Sequence, residues 1–199
     1  MSIIIPNDIR SIGSSVFTGC SNLKYTEYNN GKYLGNIGEP YLILVDVIDT
    51  SVTSFTIPTT TKVIYYMAFY DCTSLVSITI PNSVRDIGAW AFYRCKLKSI
   101  VIPNSVTSIG GYAFGDCRQL VSIAIPSSVM RIDAYAFDNC NNLVSVYYGG
   151  TVSVWENTII GNANDKLINA NRYYYSETEP TDTTYNYWHY DENGEIILW

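Results

Sequence analysis

Five cysteines, Cys20, Cys72, Cys95, Cys117 and Cys140, each stand three residues after a phenylalanine. Regularly spaced thiols raise the question of a metal or redox centre, since zinc sites are built from Cys and His at short, fixed spacings. From Cys72 onward, however, the thiols are 23, 22 and 23 residues apart, and no histidine accompanies them. A cysteine that returns in one slot of a repeat reads instead as a small buried apolar residue with a weak S–H donor. On that reading all five line a single interior file. The sole histidine, His189, lies between Trp188 and Tyr190, with no identifiable nucleophile or orienting partner to make it a general base. The turn "DENGE" at 191–195 lacks the alternating ligand spacing of a calcium loop, and "GNIG" at 35–38 lacks the spacing of a phosphate-cradling loop. No residue is assigned a catalytic, cofactor-binding or metal-binding role, and the chain reads as non-enzymatic.

Binding is the chemistry that remains. Met67, Trp90, Tyr112 and Tyr135 each precede an Ala-Phe pair. Aromatic rings with a polar tip suit protein or sugar contacts, so Trp90, Tyr112 and Tyr135 are candidates for a partner-binding edge, with packing between turns as the competing reading. A second aromatic set closes the chain, in "YWHYDENGEIILW". This run is similar to a choline-binding cell-wall repeat, which places Trp and Tyr on a hairpin; the resemblance would make Tyr187, Trp188, Tyr190 and Trp199 the ligand-binding aromatics. Such cages form between consecutive hairpins, and only one copy is present, so capping competes with binding here.

The elements that must carry these residues come from repetition. "SITIPNSVRDIGAWAFYRC" at 77–95 returns as "SIVIPNSVTSIGGYAFGDC" at 99–117. Pro6, Pro58, Pro81, Pro103 and Pro126 fall in register, the last four separated by 23, 22 and 23 residues. Periods in the twenties mark a solenoid in which each unit buries its apolar face against its neighbours. Alternation turns Ile3/Ile5, Phe55/Ile57, Ile78/Ile80, Ile100/Ile102 and Ile123/Ile125 inward. Leu23, Leu75, Leu97, Leu120 and Leu143 enter from the preceding corner. Val84/Ile87, Val106/Ile109 and Val129/Ile132 supply a second, opposite wall. Phe17, Phe69, Phe92, Phe114 and Phe137 form an aromatic spine. Proline after each strand ends its ladder. Ser2, Ser54, Ser77, Ser99, Ser122 and Ser145 line the outer strand face. The short corner "CKL" at 95–97, where other units have one residue more, is expected to leave the strand register undisturbed.

The run "IPNSVTSIGGYAFGDCRQLVSIAIPSSV" resembles the BspA-like leucine-rich repeats of bacterial surface proteins. Thr61 in the valine slot and Tyr65 in the glycine slot depart from the pattern. The resemblance implies a β-rich leucine-rich-repeat solenoid with parallel stacked strands on two walls and little helix. It also implies an extracellular or cell-surface location and a monomer working by protein–protein contact or adhesion, with host extracellular or matrix proteins as partners. A glycan-binding module and a passive spacer are the alternatives. The repeats are expected over 1–148, with a β-hairpin insertion at 24–51 turning at Asn30-Gly31. Residues 149–199 are expected to cap the stack with a short helix, a strand and an aromatic hairpin. Because Met1 opens in mid-unit, the chain is expected to be a fragment of a longer protein.

Composition agrees. Hydrophobic residues make 47% of the chain and charged residues 15%, enough to build a core. Residues 150–199 hold eight of the eighteen acidic side chains against Lys166 and Arg172 alone, so neither nucleic acid nor anionic lipid is the expected partner. No apolar run reaches the ~20 residues of a membrane span.

Overall fold

The computed structural model describes residues 3–199. The chain is a β-solenoid whose turns stack with parallel pairing on two walls. One wall is continuous. Val63–Ile64, Asp86–Ile87, Ser108–Ile109, Arg131–Ile132 and Ile159–Ile160 pair in succession, each strand two residues long because only the inward isoleucine and its neighbour lie flat on the turn below. The other wall carries Ser99–Val101, Ser122–Ile125, Ser145–Tyr148, Asn171–Tyr175 and Asn186–Tyr190 in parallel, closed by the antiparallel strand Ile196–Leu198. Stacking thus continues through the C-terminal residues. Helices Val152–Glu156 and Asp165–Asn169 fill the corners of that stretch.

Between the walls, Phe69, Phe92, Phe114 and Phe137 stack at 5.0, 5.3 and 5.3 Å, with interplanar angles of 15° or less. This spacing is close to the ~4.8 Å between paired strands, so each ring lies over the last. The same corner carries a third backbone ladder. Phe69 N–H donates to Ala91 O and Phe92 N–H to Ala113 O, both 2.7 Å, and Phe114 N–H donates to Ala136 O at 2.8 Å. Four thiols join it: Cys95, Cys117 and Cys140 donate S–H to the carbonyls of Phe69, Phe92 and Phe114 at 3.3, 3.1 and 3.0 Å, and Cys72 is buried at the head of the file. In the turn following Phe137, the side chain of Asn164, 1% exposed, takes the place of the backbone carbonyl in this ladder. Its Oδ1 accepts Phe137 N–H, and its Nδ2 donates to Asp133 O and Gly161 O.

The first unit does not join this stack. The insertion supplies strands Thr26–Tyr28, Gly31–Leu34 and Ile43–Val47, and the last of these takes the place beside Val63–Ile64 that a repeat turn would occupy. Ile5 and Phe17 therefore pack in a separate cluster with Leu42, Ile43, Val63 and Tyr65. Phe17 meets Tyr65 at 5.2 Å instead of the phenylalanine spine, Cys20 is exposed rather than in the thiol file, Ile3 is 41% exposed, and Leu23 is only half-buried. Ser2 lies outside the described residues. Thr61 and Tyr65, two of the departures from the repeat pattern, belong to this junction, whereas Asp133 fills the same slot as Tyr65 within the regular stack. A Cβ at Gly88, Gly110 or Gly161 would come within 2.4–2.7 Å of backbone nitrogen in the turn beneath. Tyr65 has no such turn beneath it, and its hydroxyl accepts Phe17 N–H. Thr61, fully buried in the valine slot, donates its hydroxyl to Tyr41 O of the insertion at 2.8 Å. The hairpin turns at Asn29-Asn30, one residue before the expected Asn30-Gly31: Tyr28 faces Gly31, and both asparagines have positive φ, as a type I′ turn requires.

The short corner also has a larger effect than expected. Ser54–Thr56 pairs with Ser77–Thr79, yet Ser77–Thr79 and Ser99–Val101 are not hydrogen-bonded, so this wall splits into two-stranded and six-stranded sheets. Cys95 and Leu97 are both held in the core, and the two-bond link between them leaves the following strand short of its partner. An open cleft of about 340 Å³ lies between the strands, and Ile78 is only half-buried where its counterparts Ile100 and Ile123 are buried. Inserting one serine between Cys95 and Lys96 should close the ladder. With two or three added hydrogen bonds at roughly 1 kcal/mol each, Tm should rise by about 4–12 °C, and amide exchange at 77–79 and 99–101 should slow. An unchanged Tm and unchanged exchange would contradict this origin of the split.

Candidate functional site

One corner of every turn is built on left-handed backbone. Ser15, Met67, Trp90, Tyr112, Tyr135 and Ala163 occupy the same slot of successive units, all with φ between 56° and 64°. Four residues later Gly19, Asp71, Arg94, Asp116 and Asn139 repeat the conformation, with φ from 57° to 78°. The second slot carries mostly Gly, Asp and Asn, which tolerate this region; the first carries bulky side chains, for which it costs roughly 1–2 kcal/mol each. The geometry shows what offsets that cost. Left-handed backbone turns the amide outward to the next turn, so that Met67 N–H donates to Ala89 O (3.1 Å), Trp90 N–H to Gly111 O (2.9 Å) and Tyr135 N–H to Asn162 O (2.8 Å). The rings then stack. Trp90 lies 4.2 Å from Tyr112 at 17°, and Tyr112 lies 4.7 Å from Tyr135 at 3°.

The structure thus brings Trp90, Tyr112 and Tyr135 into one partly exposed ladder. Tyr70 and Tyr93, three residues after Met67 and Trp90, widen it: they stack on each other at 5.3 Å, and Tyr93 meets Trp90 at 4.6 Å. Sequence reasoning missed this pair, though its constant three-residue offset was visible. Because the rings cover one another's faces, the column presents ring edges and hydroxyl tips. Its far end differs: the next slot holds only Ala163, and Tyr135 is 40% exposed. Beside the aromatics runs a charged file, in which Arg94 bridges Asp71 (3.5 Å) and Asp116 (3.4 Å), and Arg118 reaches Asp116 at 3.0 Å. The exposed Arg94–Asp71 pair adds little stability, Asp116 is largely covered by its two arginines and the surrounding turn, and together they hold the edge electrically mixed rather than of one sign.

The C-terminal aromatics divide between two faces. The final hairpin curls over the outer face of the split wall, and Trp188 donates its indole N–H to Tyr148 O at 2.9 Å. Trp188 is 2% exposed and packs edge-to-face against Tyr147, Tyr175 and Tyr190 at 6.0, 5.2 and 4.9 Å. Tyr187 and Trp199 lie elsewhere: Tyr187 packs partly against the core, while Trp199 stacks on His189 at 3.9 Å and donates to Ser176 O. The four residues therefore do not form one cage. The turn is held by Asp191, whose carboxylate accepts the Asn193 and Glu195 amides. These bonds set its carboxyl below the ordinary value, with Glu195 the largest contributor.

The described residues contain no group of three or more His, Cys, Asp and Glu able to hold a metal ion. Burial pushes the thiols of Cys72 and Cys140 up to about 12 and raises Cys95 and Cys117 as well, so none of the four supplies a thiolate at neutral pH.

The sequence matches the BspA type leucine-rich repeat region in six copies, over residues 1–40 and 48–165. The chain belongs to the BspA-type leucine-rich-repeat family. Among solved structures it is similar to a leucine-rich cell surface protein of Faecalibacterium prausnitzii, with 31% identity and a TM-score of 0.53 over 79% of this chain and 50% of that one. The fold is also shared with a leucine-rich repeat protein of Eubacterium ventriosum (22% identity, 98% of this chain and 63% of that one, TM-score 0.50) and the pneumococcal vaccine antigen PcpA (16%, 88% and 51%, TM-score 0.56). The chain spans half the length of the first of these, and less than two thirds of the other two. No functionally curated protein matches it. No helix among the described residues is long and apolar enough to cross a membrane.

Within the BspA-type turn, the left-handed slot combines a fixed backbone with a variable side chain. Replacing Trp90, Tyr112 or Tyr135 by glycine removes stacking worth about 0.5–1.5 kcal/mol but also releases about 1–2 kcal/mol of backbone strain. Each glycine variant is expected to unfold in urea within about 1 kcal/mol of the parent, and each alanine variant, which keeps the strain, at lower stability than its glycine counterpart. Glycine variants less stable than alanine variants would contradict the backbone strain, and glycine variants more than about 2 kcal/mol below the parent would show that the rings are there to hold the turns together.

Proposed function

We propose that this BspA-type solenoid is a non-enzymatic, surface-displayed recognition module that binds a protein partner through the edge bearing Trp90, Tyr112 and Tyr135. One observation carries the reading: a partly exposed aromatic ladder is held on strained backbone in a slot where glycine would satisfy the same conformation at no steric cost. Strain retained at an exposed site calls for a role beyond packing. Tyr and Trp are also the side chains that most often dominate protein contacts, because they present large, stiff, amphipathic surfaces. The mixed charges of Asp71, Arg94, Asp116 and Arg118 give the same edge a polar rim. The surface location of a similar solved protein supports display outside the cell, and host extracellular matrix proteins are the partners of choice on that footing.

The test is binding of the purified chain to an immobilised panel of extracellular matrix proteins. The parent should bind at least one of them. Combined Trp90→Gly, Tyr112→Gly and Tyr135→Gly should weaken that binding by at least about tenfold, with the Tm within a few degrees of the parent. Undiminished binding by the folded triple variant would refute the edge as the contact surface.

A further inference from the structure

A second recognition surface lies away from that edge, on the outer face of the split wall. Where the final hairpin curls over the strands, Tyr147, Tyr175 and Tyr190 stand around the buried indole of Trp188. They border a cavity of about 240 Å³. A further space of about 310 Å³ adjoins it along the strands, sharing Ala124, Tyr147 and Tyr190 and bordered also by Glu195. These volumes lie near the lower end of the range of small-molecule sites, roughly 300–1,000 Å³. Gly149 also borders the first cavity, and a Cβ there would stand 3.2 Å from Pro126 Cα.

The lining states what would fit. No charged side chain borders the first cavity, although the rest of the C-terminal stretch is strongly acidic. Its apolar walls combine the aromatic rings with Ile102, Ala124, Ile125 and Pro126. Its polar groups are the phenol hydroxyls of Tyr147, Tyr175 and Tyr190 and the exposed amide of Asn104, none of which is hydrogen-bonded to another group of the protein. Trp188 has already committed its N–H to Tyr148 O, so it acts as a floor that fixes the three tyrosines around it. A neutral ligand with apolar faces and a rim of hydroxyls matches both halves of this set: C–H faces against the rings, hydroxyls against the phenols and the amide. A quaternary ammonium would use the rings through cation–π attraction but leave every one of those polar groups unanswered. An extended peptide seeks unpaired strand backbone, whereas Ser122–Ile125 and Ser145–Tyr148 beneath the first cavity are paired on both sides; the unpaired edge of Ser99–Val101 borders only the second space.

We propose that this groove binds neutral pyranose units of a glycan, one sugar ring resting among Tyr147, Tyr175 and Tyr190 within reach of Asn104. The site is independent of the Trp90 edge, and the two readings fail separately.

The experiment titrates the full chain with chitotriose, cellotriose, maltotriose and mannotriose to about 10 mM. The readouts are tryptophan fluorescence and ligand-observed NMR. Choline chloride and tetra-alanine are run beside them. At least one trisaccharide should bind with a Kd near or below about 1 mM. Tyr147→Ala and Tyr190→Ala should each weaken it at least about tenfold, Asn104→Ala several-fold, and Trp90→Gly not at all. Asn104 is exposed and unbonded, so its variant keeps the test valid if a tyrosine variant misfolds. The proposal is overturned if no trisaccharide binds the folded parent, or if binding survives Asn104→Ala together with the folded tyrosine variants. It is equally overturned if choline or tetra-alanine occupies the groove and the sugars do not.

Discussion

The corner carrying Ala-Phe and cysteine is where one turn depends most on the next. Its amides point along the stack, so Phe69, Phe92 and Phe114 each give their N–H to the following turn, and Cys95, Cys117 and Cys140 return an S–H to the turn before. A buried backbone group without a partner costs on the order of 1–3 kcal/mol, which means that no unit can hold this conformation alone. The rings between the ladders bury roughly 1.5–3 kcal/mol apiece. Hydrogen bonding and apolar burial are therefore satisfied by the same contact, and the unit of stability is the interface between turns rather than the turn.

That dependence makes the ends of the stack the places where the protein departs from regularity. At one end the inserted strand Ile43–Val47 occupies the neighbour's place and draws Thr61 and Tyr65 into new roles. At the other, the side chain of Asn164 in the last turn of the continuous wall accepts the Phe137 amide where a backbone carbonyl serves in earlier turns, and the final hairpin folds back over the split wall. The candidate surfaces follow the same logic. The Trp90 edge arises because stacking puts one variable side chain per turn at a constant spacing. The tyrosine groove arises because the C-terminal end must be covered and its cover is aromatic.

Much of this was legible in the residues. Proline, the inward isoleucines, phenylalanine and cysteine recur because each turn needs the same partners, and from Cys72 onward the recurrence predicts position. The first unit shows where such reading stops. Its Ile3, Phe17 and Cys20 fit the pattern as well as any, but pattern reports what a unit can do and not what chain is interposed beside it. Tyr65 in a mostly glycine slot was the available signal, since a bulky ring there has room only where no turn lies beneath; Asp133 shows that a small side chain is accepted over a turn. Asp71, Asp116 and Asn139 hinted at left-handed backbone by type, whereas Trp90, Tyr112 and Tyr135 gave no such hint. The meeting of Tyr147 and Tyr175 with Trp188 and Tyr190 depends on how far the sheet curls, which no local feature of the sequence encodes. The missing residue in "CKL" was visible, but its consequence was not, because the core holds both Cys95 and Leu97 and the strain passes to the strand.

The stacked interface is tested most directly by counting reactive thiols in the native protein. A maleimide added without denaturant, followed by peptide mass spectrometry, should modify Cys20 rapidly. Cys72, Cys95, Cys117 and Cys140 should react only at the rate of unfolding, and together. Rapid native labelling at any of those four would contradict a closed file of thiols between turns, as would protection of Cys20 equal to theirs.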